Sequence, residues 1–248
     1  MDWLIPEWPV DARVGALMTT RAGGVSAPPF DSLNLGRSAG DDPAAVEENR
    51  RRFEAALGVP PHYLSQVHGA RVVRLTRAAA PAHEQADAAI TTEPGLACTV
   101  MVADCMPVLF AAPAARGVGA AHAGWRGLAG GVLEATVDAL CEAAGCGPAE
   151  LTAWLGPCIG PRQFEVGADV LDAFGPAAAH RFVSRPRPDG SPRWLADLPG
   201  LARDRLAAAG LTRVHGGTAC TVEERSRFFS FRRDRVTGRM AAAVHLRG

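Results

Sequence analysis

Apolar and polar positions alternate along this chain in short blocks whose period switches between about two and about 3.6, the marks of strand and helix. Residues 13–20 read as a strand, followed by a Gly- and Pro-rich loop over 21–40. The first helix is sharply bounded: Asp42 caps it, Pro43 suits its first turn, Val46, Phe53 and Leu57 share one face, and Gly58 ends it. Strands are expected at 72–75, 86–91, 99–103, 107–111 and 117–121. A long helix over 128–144 is apolar on most of its surface and is expected to be buried. A strand at 151–155, short helices at 167–174 and 197–209, and a strand at 213–216 come next. Residues 228–231 and 240–246 read as two strands of a closing hairpin, with Thr237-Gly238 near the turn. The Pro- and charge-rich stretch 184–193 reads as a surface loop. The pattern therefore predicts a single α+β domain over 1–248, with mixed β-sheets flanked by helices.

Composition narrows the function more than the fold. The 248 residues are 48% apolar and 21% charged, as in an ordinary globular protein. The 26 basic and 26 acidic side chains cancel, which removes the electrostatic case for nucleic-acid or acidic-membrane partners. All the basic residues are Arg. Without Lys, Schiff-base catalysis, Lys-anchored pyridoxal phosphate and P-loop nucleotide binding are excluded. The N-terminus lacks the basic and apolar regions of a signal peptide, and the weakly polar stretch 96–124 is interrupted by Asp104 and Pro113. Six Cys without a CxxC pair suit a reduced, cytoplasmic setting.

Three short segments place a metal-capable side chain beside small residues at a loop or strand end. They are Gln66-Val67-His68-Gly69, Ala103-Asp104-Cys105-Met106-Pro107 and Ala121-His122-Ala123-Gly124-Trp125-Arg126-Gly127. Two imidazoles and a thiolate suit catalytic zinc, which commonly takes three protein ligands and leaves one position open. The same residues allow a metal-free reading, with Cys105 as nucleophile and His122 as its base. Asp104 is a candidate proton shuttle, or else a turn-capping residue. Gly124 to Gly127 joins a strand to a helix start, where backbone N–H groups favour anions. Arg126, Arg21 and Arg233 could add contacts, and Trp125 could stack on a flat ring. Cys158, in Gly156-Pro157-Cys158-Ile159-Gly160, is a second thiol candidate, or else a small residue in a tight turn.

Together with Thr20-Arg21-Ala22-Gly23-Gly24, Ser32-Leu33-Asn34-Leu35-Gly36 and Ser230-Phe231-Arg232-Arg233-Asp234, these segments resemble the laccase-domain family. That family is also called polyphenol-oxidase-like and, in bacteria, peptidoglycan editing factor. The resemblance covers nearly the whole chain. It implies an α+β fold and a metal held by His68, Cys105 and His122. Asn34 and Gln66 join the substrate-binding candidates through their motifs. Phe231 departs from many relatives, which carry Tyr there, so any hydroxyl role at that position is absent.

The resemblance further implies zinc-dependent phosphorolysis of adenosine, inosine and methylthioadenosine to base and ribose 1-phosphate, with adenosine deamination alongside. Blue-copper laccase chemistry is not expected, because its copper centres need many imidazoles as His-x-His pairs. This chain has seven His and no such pair. Copper could still occupy a His/Cys site in vitro. Two alternatives stay open: hydrolysis of an amide in a cell-wall precursor, and a non-catalytic metabolite- or partner-binding protein. The sequence leaves the oligomeric state open.

Overall fold

The computed structural model describes residues 3–79 and 84–248. Strands β1 (Val14–Met18), β2 (Pro61–Tyr63), β3 (Val72–Arg74), β4 (Ala88–Thr91) and β5 (Ala97–Val102) are interrupted by helix α1 (Pro43–Leu57). Strands β6 (Met106–Ala111) and β7 (Val118–Ala123) lead into α2 (Trp125–Ala129), α3 (Val132–Ala144) and β8 (Thr152–Leu155). Next come β9 (Glu165–Val166), α4 (Ala168–Phe174), β10 (Phe182–Ser184), β11 (Trp194–Ala196) and α5 (Leu198–Ala208). The chain closes with β12 (Arg213–Gly216), α6 (Phe231–Asp234) and β13 (Met240–Leu246).

The strands form three sheets, and the α+β class with mixed sheets holds. The largest sheet has the order β12-β8-β6-β7-β4-β3, with parallel pairs at both edges and antiparallel pairs between. A four-stranded sheet, β1-β13-β5-β2, packs against one face of it. The alternation along β6 explains the layering. Val108 and Phe110 face the cluster under α3 and α5, while Leu109 and Ala111 join Val100, Val102, Ala242 and Val244 between the two sheets. On the far side, Ala241 and Ala243 of β13 meet Phe53 and Leu57 of α1.

The bounds of α1 follow its sequence signals. The Asp42 carboxylate accepts the Ala44 N–H at 3.0 Å, and Gly58 ends the helix at φ 78°. Two expectations need correction. The helix expected over 128–144 is broken at Gly130-Gly131, where Gly131 adopts φ 91°, a conformation that glycine enters without steric cost. Helix α2 therefore begins at Trp125, straight off β7. Residues 228–231 are no hairpin strand: Phe228 and Phe229 are buried between the sheets, and the Ser230 hydroxyl accepts the Arg233 N–H to cap α6. Strand β13 pairs instead with β1 and β5. Of the 184–193 stretch, Ser184 ends β10 and residues 185–193 form the loop joining β10 to β11. Among the described residues, no helix is long and apolar enough to cross a membrane.

Candidate metal centre

The three sheet-end segments converge. Among the described residues, His68, Cys105 and His122 form the one His/Cys/acid cluster, with their ligand atoms all within 4.8 Å of one another. His122 is delivered by β7, buried, in register opposite Pro107 of β6. Cys105 ends the tight turn between β5 and β6, and His68 sits in the loop before β3. The Cys105 Sγ and His68 Nε2 are 3.8 Å apart, and the two imidazole rings meet edge to face at 4.8 Å. Metal–ligand bonds of 2.0–2.3 Å at tetrahedral angles place ligand atoms about 3.5 Å apart, so this donor set fits one ion with small adjustment.

The hub beneath the cluster is Asp87, which is fully buried. Its carboxylate accepts the backbone N–H groups of Val67, His68 and Gly69 at 3.1, 2.9 and 2.7 Å, and pairs with His122 Nδ1 at 2.8 Å. Those three amides hold the His68 loop in a tight turn, with His68 itself at φ 59°. The bond to Nδ1 leaves His122 Nε2 as the ring nitrogen that meets Cys105 and can take a metal. Asp87 was not among the candidates. Its signal in the sequence is a lone carboxylate inside an otherwise apolar strand, which burial makes costly unless it is paired.

Two further residues shape the centre. Gly124 is small for a reason: a Cβ there would lie 2.9 Å from Cys105 Sγ and 3.0 Å from His68 Cδ2. Asp104, at φ 86°, has both oxygens engaged, accepting the Thr221 hydroxyl and the Arg232 N–H at 2.6 Å each. It thereby braces the Cys105 turn against the segment that carries α6.

Electrostatics favours a thiolate. Burial works against ionising Cys105, but the charge on His122 and hydrogen bonds from both imidazoles bring its pKa down to about 6. Burial likewise opposes a charge on His122, yet the Cys105 thiolate and the Asp87 carboxylate raise its pKa to about 9. Cys158 is the opposite case. It is buried, pushed well above the usual thiol range first by burial, and hydrogen-bonded to the Ile159 carbonyl.

The cluster opens on a cavity of about 680 Å³. Gln66 lines it while gripping both backbone groups of Met101, at 2.8 and 2.7 Å. The other predicted substrate contacts are not in its wall. Arg21 is tied to the Asp31 and Arg225 carbonyls and lies over Phe229. Arg233 is bound to the carbonyls of Thr221, Val222 and Phe228 and to Asp234. Arg126 lies over its neighbour Trp125, which packs against the core under α3. Asn34 is fully buried, and its Oδ1 accepts the N–H groups of Gly36 and Arg239. Among the described residues, the cavity wall contains Arg37, Arg50 and Arg239 and no Asp or Glu. None of these three arginines lies in the segments that attracted attention as motifs.

Comparison with known proteins bears on this geometry. The family model described as multi-copper polyphenol oxidoreductase laccase matches residues 15–247. The chain belongs to this laccase-like family. A Pseudomonas aeruginosa member named purine nucleoside phosphorylase is 54% identical over 98% of both chains. The Escherichia coli member named purine nucleoside phosphorylase YfiH is 49% identical, again over 98% of both. Among solved structures, Neisseria meningitidis protein NMB0706 superposes with a TM-score of 0.92 at 47% identity over the full length of both chains. YlmD from Geobacillus stearothermophilus gives 0.90 at 34% identity, covering 100% of this chain and 97% of its own. The fold of this family member is thus shared end to end with proteins of known structure.

Proposed function

We propose that the chain is a zinc-dependent purine nucleoside phosphorylase acting on adenosine, inosine and methylthioadenosine. The observation that carries this reading is the joining of a His/Cys/His ligand set to a cavity whose described lining includes three arginines and no carboxylate. Such a cavity attracts an anionic co-substrate and repels none. The names of the similar Pseudomonas and Escherichia proteins point the same way.

In phosphorolysis, a phosphate oxygen bonds to the anomeric carbon as the glycosidic C–N bond breaks. The base leaves with that electron pair and takes up the proton that phosphate gives up. Zinc, held by His68, Cys105 and His122, would supply a Lewis acid beside the anionic oxygen. The chain's own residues do the rest. Asp87 keeps His122 in one tautomer and the His68 turn closed, Asp104 and Gly124 fix Cys105, and Gln66 holds the Met101 segment of the wall. Phe231 lines the cavity with 47% of its surface exposed, an aromatic face suited to a purine ring.

Adenosine deamination at the same centre is proposed as the slower companion reaction. Zinc deaminases carry protons on a carboxylate, and the described residues of the cavity wall include none. The test is product analysis of the zinc-loaded protein with adenosine, with and without phosphate. Phosphate-dependent adenine and ribose 1-phosphate support phosphorolysis. Inosine formed at the same rate without phosphate would make the protein a deaminase first.

A further inference from the structure

Arg239 stands apart from the other cationic residues of the molecule. Its Nη1 donates to the carbonyls of Thr237 and Gly238 at 2.9 and 3.1 Å, which fixes the guanidinium plane. Its Nε and Nη2 have no partner among the described residues, and no carboxylate pairs with it. That leaves one two-donor edge of the fork, the edge that matches two oxygens of a phosphate. Arg239 lines the same cavity as His68, Cys105 and His122. Burial holds its pKa below the usual arginine value, and the charges of Cys105 and Asp104 partly offset this. A partly desolvated, unneutralised guanidinium is costly unless an anion comes to it.

The loop at 34–36 is built to seat this residue. Asn34 Oδ1 accepts the Arg239 N–H at 2.8 Å, Leu35 N–H donates to the Arg239 carbonyl at 3.0 Å, and a Cβ on Gly36 would lie 2.7 Å from Arg239 Cγ. The Asn34 side chain is therefore spent on positioning Arg239 and the Gly36 backbone, while Gly36 itself lines the cavity. Two other features of the same wall want a polar ligand. Arg50 has no carboxylate partner and lies over Tyr63, and the Tyr63 hydroxyl is buried without a hydrogen-bond partner among the described residues.

We propose that the free Nε/Nη2 edge of Arg239 is the phosphate-holding contact of the cavity, with Arg50 adding its charge from the same wall. This inference rests on the phosphorolysis reading but is tested separately from it. Inorganic phosphate is titrated calorimetrically into metal-loaded wild-type protein, Arg239→Gln, Arg239→Lys and Arg126→Gln, and phosphate and adenosine KM values are measured alongside. Zinc content and thermal unfolding confirm that each variant is folded.

Arg239→Gln is expected to weaken phosphate binding and raise the phosphate KM about tenfold to a hundredfold, the worth of a charge-assisted bidentate contact. The adenosine KM stays close to wild type. Arg239→Lys, with the charge but without the fork, recovers part of the loss, and Arg126→Gln behaves as wild type. Unchanged phosphate affinity in folded Arg239→Gln and Arg239→Lys overturns the assignment, as does a loss seen in Arg126→Gln instead. Wild-type protein that binds phosphate through Arg239 yet cleaves no nucleoside would uphold the subsite and overturn the phosphorolysis reading.

Discussion

Two cavities of similar size, about 680 and about 710 Å³, are both rich in arginine, and they differ in what answers the charge. The second, between β9 and α6, is lined by Arg187, Arg193, Arg232, Arg233 and Arg235, but also by Glu165 and Asp169. There Glu165 pairs with Arg187 at 2.6 Å and lies 3.9 Å from Arg193, while Arg233 is held by Asp234 at 2.7 Å. In the first, Arg37 is paired with Glu47 outside the wall, and Arg50 and Arg239 have no carboxylate partner among the described residues. The number of arginines does not make an anion site. Burial without neutralisation does, and here it coincides with the metal centre.

The largest effects should come from breaking the metal corner itself. Chelation, or His122→Ala, is expected to abolish adenine release, with zinc restoring the chelated wild type only. Survival of activity after metal removal would favour Cys105 acting as a metal-free nucleophile instead. Asp87→Ala comes next, because it orphans three backbone donors and the His122 ring at a fully buried position. It should cost about 3–5 kcal/mol in denaturant unfolding and at least about tenfold in zinc affinity. Wild-type values for both would remove Asp87 from its place as the hub.

Gly124→Ala is a finer cut through the same corner. The added methyl crowds Cys105 and His68, so about 1–3 kcal/mol of stability or the equivalent zinc affinity should be lost. In metal-free protein, Cys105 alkylation by iodoacetamide should proceed with a midpoint near pH 6, falling away below it as the thiolate protonates. His122→Ala should move that midpoint upward, and Cys158 should stay inert. A midpoint in the ordinary thiol range in the wild type would contradict the ion pair. The smallest effect marks the other side of the comparison: Arg187→Gln, in the neutralised cleft, should leave the phosphate KM within about twofold of wild type.

What could be read in the sequence follows the same division. His68, Cys105 and His122 stand out as metal-capable residues beside small ones, but only the family resemblance joined them into one ligand set, because their spacings of 37 and 17 residues follow no local pattern. The layered α+β fold was legible because periodicity is local as well. Gly130-Gly131 breaks an otherwise apolar helical pattern, and periodicity alone carries a helix across that pair. Asp87 and Arg239 were not found, because their importance lies in partners brought from elsewhere in the fold. Asp87 matters through three amides 18 to 20 residues upstream, and Arg239 through Asn34, which lies 205 residues away. Arg21, Arg126 and Arg233 drew attention by sitting in motifs, but tertiary packing gives their guanidiniums to carbonyls, to Asp234 or to an aromatic ring.

The central claim is that phosphate enters the reaction as the nucleophile. Turnover of adenosine by zinc-loaded protein in oxygen-18-labelled phosphate, followed by mass spectrometry of the sugar product, tests it most directly. The account predicts ribose 1-phosphate carrying the full label of the phosphate supplied, together with free adenine. Free ribose without phosphate, or adenosine converted only to inosine, would contradict it.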